Sequence, residues 1–321
     1  MKKRIICLAL AALMVLSALT LAGCGEKKAK DKYVVGICQL VQHTALDAAT
    51  QGFMDALNEA LPGKVEFRNK NASGEANNCA TIVNGFVSDK VDLIMANATP
   101  ALTAAVSATK DIPILGTSIT AYGVALDITD FSGTVGGNVS GTSDLADLSA
   151  QAAMITEWFP ETKTVGLLFC SAEPNSRYQI EEVAKYLADK GIESKEFAFT
   201  DTNDVTAVTQ AAADYADVIY IPTDNTAAAN TEAIANVLAP AKVPAICGEE
   251  GICSGCGVAT LSISYYDLGV TTGKMAAKIL TGEADISKMP IEYTGATKKY
   301  NASMCDALGI KPLDGYTAIG E

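Results

Sequence analysis

From Tyr33 onward, short β-branched runs alternate with segments of helical period, and this rhythm constrains the fold more than any other feature. "YVVGIC" (33–38) precedes a helical pattern from Ala45 to Ala60. "KVEFRN" (64–69) precedes one from Glu75 to Ser88, "VDLIMAN" (91–97) one from Pro100 to Thr109, and "PILG" (113–116) follows. A Thr-, Ser- and Gly-rich stretch, 117–141, interrupts the alternation, which then restarts. Helical patterns from Asp144 to Trp158, Ser176 to Lys190, Val205 to Tyr215 and Thr226 to Leu238 alternate with strand-like runs at 164–169, 192–199, 217–222 and 243–247. "VATLSIS" (258–264), a helix from Tyr265 to Leu280, an extended "IEYT" and a short helix from Ala302 to Leu308 close the chain. Strands of four to eight residues alternating with helices imply right-handed βαβ units and parallel sheets. "VDLIMANATPALTAA" (91–105) is echoed by "ADVIYIPTDNTAAAN" (216–230). Two doubly wound α/β lobes fit this better than one long sheet. The expected lobes are 33–141 with about 265–288, and 142–264 with about 289–321. The candidate crossings are 117–142 and 248–264.

The first residues stand apart from that rhythm. Lys2, Lys3 and Arg4 precede an apolar run from Ile5 to Leu19, and Leu21-Ala22-Gly23-Cys24 follows. This is the layout of a secretory signal over 1–23. Its ending resembles a bacterial lipobox, which implies cleavage before Cys24 and lipidation of that cysteine. The apolar run is short of the ~20 residues a membrane span needs. Residues 24–32, which carry "EKKAKDK", read as a charged tether. The expected location is therefore extracytoplasmic, anchored to the bacterial cell membrane through Cys24.

Formal charge is −13, and loss of the signal's three positive charges makes the mature chain more acidic still. A nucleic-acid partner, which wants a basic face, is excluded. Of nine cysteines, seven lie beyond the signal and the lipobox. Cys38, Cys170 and Cys247 end strand-like runs and read as small buried hydrophobes. Cys253 and Cys256 form a single CxxC, which reads as a local disulfide or two free loop thiols. No second CxxC accompanies it, and the one histidine, His43, is distant in sequence, so no metal site is expected.

In parallel sheets the ligand sits outside the carboxyl ends of the strands, beside helix N-termini. The turns at those places share a chemistry of hydroxyls, amides and a few acids. They include 39–43, 97–100, 116–118, 141–144, 171–177, 223–225 and 248–250. Hydroxyls and N–H groups at helix starts suit a carboxylate. Acids suit an ammonium. A zwitterion site follows, with Thr99, Ser118, Thr142 or Ser143 on the carboxylate and Asp224 or Glu249 on the amine. Read alone, each such residue is also an ordinary helix cap. Catalytic motifs do not assemble. "GVTTGK" (269–274) is one residue short of a phosphate-binding loop and lies inside a helix pattern, and "GGNVSG" lacks the strand and helix of a dinucleotide site. No GxSxG elbow occurs. No catalytic residue and no cofactor are therefore assigned.

"VGICQLVQHTALDAATQGFMDAL", "NASGEANNCATIVNGFVSDKVDLIMANATPA", "NVSGTSD", "PNS", "IYIPTDNTA" and "GEEG…ATLSISYYDLGVTTGKMAAKIL" resemble the ABC-transporter substrate-binding lipoproteins of the tryptophan/tyrosine type. The resemblance covers nearly all of 33–312. It implies a type I periplasmic binding protein fold with a three-stranded hinge, closing on a ligand and delivering it to a membrane permease. It carries Gln39, Thr99, Thr142, Ser143, Asp144, Asn175, Ser176, Asp224, Asn225 and Glu249 onto cleft turns. His43 is expected at the rim, with Gln39 touching ligand more closely. The family pattern places an acid before this histidine and a proline after it. Here Gln42 and Thr44 stand there. The expected ligand is a free amino acid, aromatic or branched, bound by a monomer. A nucleoside, sugar or short peptide, or a receptor feeding a sensor, are the alternatives.

Overall fold

A computed structural model describes residues 30–320. The signal, Cys24 and most of the tether lie outside the described residues. Residues from Lys32 onward form one compact unit.

The first sheet takes β1 (Tyr33–Gln39), β2 (Val65–Asn71), β3 (Leu93–Asn97), β4 (Ile114–Ile119) and β5 (Val139–Ser143). Between them run α1 (Thr44–Ala60), α2 (Ala76–Ser88), α3 (Thr99–Ala108) and the short α4 (Tyr122–Ala125). The second sheet takes β6 (Thr164–Cys170), β7 (Glu193–Phe199), β8 (Val218–Ile221), β9 (Ala245–Cys247) and β10 (Ala259–Ile263). Its helices are α5 (Leu148–Trp158), α6 (Pro174–Asp189), α7 (Val205–Tyr215), α8 (Asn225–Ala229), α9 (Thr231–Ala241) and α10 (Glu250–Cys256). Both sheets run in the order 2-1-3-4-5 through these parallel strands. β3 and β8, the middle strands, are buried throughout, as continuous apolar runs covered on both faces must be.

The sequence echo has a physical counterpart. Asp92, entering β3, accepts a hydrogen bond from the Val34 N–H at 2.9 Å. Asp217, entering β8, accepts from Lys163 and Thr164 N–H, each at 2.9 Å. Each aspartate fixes the start of the neighbouring strand at the matching place in its own lobe.

Three crossings join the lobes. The first follows Ser143, the second is Ser264, and the third lies at Thr294–Gly295. After the second, α11 (Tyr265–Thr281) returns to the first lobe and β11 (Glu292–Tyr293) pairs with Thr142 and Ser143 of β5. After the third, β12 (Ala296–Tyr300) pairs antiparallel to β10, followed by α12 (Ala302–Leu308) and β13 (Thr317–Ala318). Sheet membership thus extends the first lobe to Ser143 and through Tyr293, a few residues past the expected boundaries. The crossings are correspondingly shorter than the stretches 117–142 and 248–264, because β4 and β5 share one sheet and β10 belongs wholly to the other.

Gly269 and Gly273 of "GVTTGK" are packing glycines. A Cβ on Gly269 would strike the Ala49 carbonyl, and one on Gly273 would meet the Phe53 carbonyl at 2.6 Å. Gly52 faces the Tyr266 carbonyl equally closely. Backbone therefore meets backbone along α1 and α11, which fixes the start of α1 against the second crossing.

Candidate functional site

A small enclosed cavity lies where the strand-to-helix turns of the two lobes face each other. The first lobe lines it with His43, Leu46, Ser118 and Thr120. The second contributes Asn175, Thr223, Asp224, Asn225, Ala228 and Glu249. Asp144 enters from the first crossing and Tyr265 from the second.

His43 is the N-cap residue of α1, but its side chain caps nothing. Its Nε2 lies 3.3 Å from Asn225 Oδ1 across the cleft, and its Nδ1 is buried without a partner. Burial lowers its pKa, against the opposing pull of the Asn225 hydrogen bond and of Glu173 and Asp47, so the ring is neutral at pH 7. Ser118 takes a left-handed backbone (φ 56°), unusual for a non-glycine residue, and its Oγ is also buried and unpartnered.

Asp144 Oδ2 accepts the Tyr265 hydroxyl at 2.9 Å, while Oδ1 has no partner. Burial pushes its carboxyl up to about 6. Glu249 caps α10, accepting from Gly251 and Ile252 N–H at 2.6 and 2.5 Å, and burial raises it to about 7. Asp224 caps α8 through Ala227 N–H at 2.8 Å and accepts Cys170 N–H at 2.7 Å. Burial, then the charge of Glu173, drives its pKa upward. Asn175 Oδ1 is a fourth unpartnered buried atom, and its Nδ2 donates to Glu173, Ser176 and the Thr223 carbonyl.

The cavity therefore holds three acids and no lysine or arginine. An unsatisfied buried polar group costs about 1–3 kcal/mol, and four converge here. Three are acceptors, Asp144 Oδ1, Asn175 Oδ1 and His43 Nδ1, because the neutral ring gives its one N–H, on Nε2, to Asn225 Oδ1. Ser118 supplies a hydroxyl donor. The first turn of α1 adds N–H groups carrying partial positive charge. Hydrogen-bond acceptors and donors thus face one acid-lined space. The open space between the walls is about 10 Å³, room for one water.

Of the residues singled out from sequence, the structure brings His43, Ser118, Asp144, Asn175, Asp224, Asn225 and Glu249 to this cavity and leaves five outside it. Gln39 is consumed locally: its amide donates to Asp47 at 2.6 Å and to the Val41 carbonyl, and its carbonyl accepts from Thr50. His43 lines the cavity and Gln39 does not. Thr142 shares its hydroxyl with Thr117 and Thr272 in the core of the first lobe. Ser143 donates to the Thr120 carbonyl and accepts from Leu145 N–H, bracing the crossing. Thr99 starts α3 away from the cavity, and Ser176 lies behind Asn175. Asp144 does not start a helix. α5 begins at Leu148, capped by Asp147.

Sequence reasoning missed Glu173. Its buried carboxylate accepts from Asn225 and Thr226 N–H, both of their side chains, and Asn175. An acid beside Pro174 at a helix start was the available signal. Cys253 and Cys256 lie on α10 rather than a loop, and all seven described cysteines are buried and unpaired. Among the described residues no cluster of metal-binding side chains occurs.

Residues 34–311 match the family described as ABC transporter substrate binding protein. The chain belongs to that family. This substrate-binding protein is 32% identical over 313 residues to a "Tyrosine-binding protein" of Clostridioides difficile, covering 92% of this chain and 89% of the relative. It is similar to the crystal structure of an ABC domain in complex with L-Trp from Streptococcus pneumoniae, at 30% identity and TM-score 0.84 over 90% of this chain and all of the other. Against a ligand-free, open structure of a Clostridium difficile substrate-binding protein with adhesive properties, identity is 32% and the TM-score 0.68, over 89% of this chain and 99% of the other. The fold of this chain is that of the type I periplasmic binding proteins, two parallel-sheet lobes joined by crossings.

Proposed function

We propose that this protein is the ligand receptor of an ABC importer, and that it binds a free aromatic amino acid as a zwitterion between its lobes. The observation that carries this is the convergence of Asp144 Oδ1, Asn175 Oδ1, Ser118 Oγ and His43 Nδ1, all buried and unpartnered, on one acid-lined cavity. The ammonium goes to Asp144 and Asn175, with Glu249 and Asp224 adding negative potential. The carboxylate goes to the Ser118 hydroxyl and the N–H groups at the start of α1. An aromatic side chain is supported by the names of the relatives.

With room for one water, the cavity loads by parting of the lobes about the three crossings. Signal removal and lipidation at Cys24 hold the receptor outside the cytoplasmic membrane, where the closed, liganded form meets the permease. The site is complete within one chain, so a monomer binding one ligand suffices. A thermal-unfolding panel of amino acids, nucleosides and sugars tests the reading. A ligand at 100 times its Kd stabilises by about 2.7 kcal/mol. L-tyrosine or L-tryptophan should raise the midpoint, and no shift with either contradicts the proposal.

A further inference from the structure

Glu173 does not line the cavity, yet it fixes the direction of hydrogen bonds inside it. It is buried at the start of α6, but its side chain does not cap that helix. The carboxylate reaches instead to the start of α8. Oε1 accepts from the Thr226 N–H at 2.8 Å and from the Thr226 hydroxyl at 2.9 Å. Oε2 accepts from the Asn225 N–H at 3.0 Å, from Asn225 Nδ2 at 2.7 Å and from Asn175 Nδ2 at 3.2 Å. An ionised carboxylate only accepts, so each amide beside it turns its NH2 end inward and its carbonyl end outward. Asn175 thereby presents Oδ1 to the cavity, buried and without a partner. Asn225 presents Oδ1 to His43 of the opposite lobe, 3.3 Å from Nε2. A carbonyl oxygen there requires a donor, so Nε2 carries the proton of the neutral ring and Nδ1 is left as a bare, buried acceptor. The hydrogen positions of an amide and an imidazole follow from their network, and Glu173 is the member of this network that cannot reverse.

We propose that Glu173 is a positioning residue for the cleft: through Asn225 it fixes the tautomer of His43 in the opposite lobe, so that Asn175 and His43 both face the cavity as acceptors. The same relay joins the lobes, donor against acceptor, at a point away from the three crossings. Without Glu173, the Asn225 amide is free to reverse. Its NH2 group would then meet Nε2, and the ring would have to move its proton to Nδ1, where it becomes a donor into the cavity. A buried donor set against an ammonium is a mismatch, whereas an acceptor is a partner. One carboxylate behind the wall thus decides the polarity of two groups in the wall, one on each side of the cleft. The tautomer is a property of the protein whatever it binds. Its consequence for affinity rests on the reading of the cavity as an ammonium site.

His43 is the only histidine in the chain, so its ring nitrogens can be read without assignment. Two-bond proton–nitrogen correlation spectra of isotope-labelled protein at neutral pH, with saturating L-tryptophan, distinguish the two tautomers. The wild type should show one neutral form, protonated on Nε2. Glu173→Ala should show both tautomers, with affinity for L-tryptophan reduced about ten-fold. Thr226→Val removes another partner of the same carboxylate and leaves Asn225 in place, so it should keep the wild-type ring pattern. A residue that merely stiffened this turn would move both variants alike. A mixed or Nδ1-protonated ring in the wild type overturns the proposal, as does a single Nε2-protonated ring in folded Glu173→Ala. Unchanged affinity beside a mixed ring overturns the link from tautomer to binding. If Glu173→Ala does not fold, Asn225→Ala cuts the relay one step later and should give the same mixture; a single tautomer there overturns the relay. If the wild type does not bind L-tryptophan, the receptor reading fails, and the ring patterns of the ligand-free proteins decide the tautomer claim by the same outcomes.

Discussion

The two lobes share one strand order yet start their helices differently. In the first lobe, α1 to α4 begin at His43, Glu75, Ala98 and Ala121, and none of these side chains caps its helix. In the second, α5, α8 and α10 begin at Asp147, Asp224 and Glu249, and each carboxylate accepts from its own first turn, whereas α6, α7 and α9 have no side-chain cap. Ser264 caps α11, which returns to the first lobe at the second crossing. An acid cap stabilises by about 1 kcal/mol and puts negative charge at the turn. An uncapped start leaves N–H groups and partial positive charge exposed to whatever lies opposite. At the cavity, the start of α1 and the acids Asp224 and Glu249 line one space, so under the proposed function the same topology gives one lobe a carboxylate-binding edge and the other an ammonium-binding edge. Under that proposal the difference orients a zwitterion without lysine or arginine.

The strongest way to break this comparison is Asp144→Asn. Removing one partner of a buried charge pair costs about 2–5 kcal/mol, so amino-acid affinity should fall by about 30-fold to a few thousand-fold. The ligand-free protein should be equally or more stable at pH 7, because an amide does not ionise and the cost of burying a carboxylate charge is gone. Titration and an unfolding curve on the same variant check both halves.

A second effect is pH dependence. Asp144 and Glu249 hold their protons to about 6 and about 7, above the ~4 of an unfolded chain. As pH rises from about 4, the unfolded chain releases its protons first, so ligand-free stability falls through the window up to about 7. An ammonium favours the ionised acids, so binding should strengthen from pH 5 to pH 8. Unfolding midpoints at pH 5 and 8 should differ by a few degrees without ligand, at about 2–4 °C per kcal/mol. The gap should narrow with saturating amino acid.

The smallest effect belongs to the first lobe. Ser118→Ala removes one neutral hydrogen-bond donor, worth about 0.5–1.5 kcal/mol, so affinity should fall roughly two- to ten-fold. A loss as large as that at Asp144 would mean that Ser118 does more than share a carboxylate with α1.

The alternation of strands and helices made the two-lobed fold legible, since parallel strands need crossover helices whatever the residues between them. The turns were legible as a set, because ligands gather at the carboxyl ends of parallel strands. Which member of a turn faces inward was not legible. Gln39 and Thr142 looked as suitable as Ser118, but their partners, Thr50 and Thr272, are fixed only when α1 and α11 pack. Glu173 escaped notice for a related reason. Two of its partners lie 52 and 53 residues away, and its place beside Pro174 marks only a helix start, not the distant turn that its carboxylate organises.

The central claim is that one lobe edge takes the carboxylate and the acids opposite take the ammonium. Calorimetric titration with L-tryptophan, N-acetyl-L-tryptophan and tryptamine tests it most directly. The parent amino acid should bind one per chain, and loss of either charge should weaken binding at least a hundred-fold. Binding of either analogue as tightly as L-tryptophan would contradict the account.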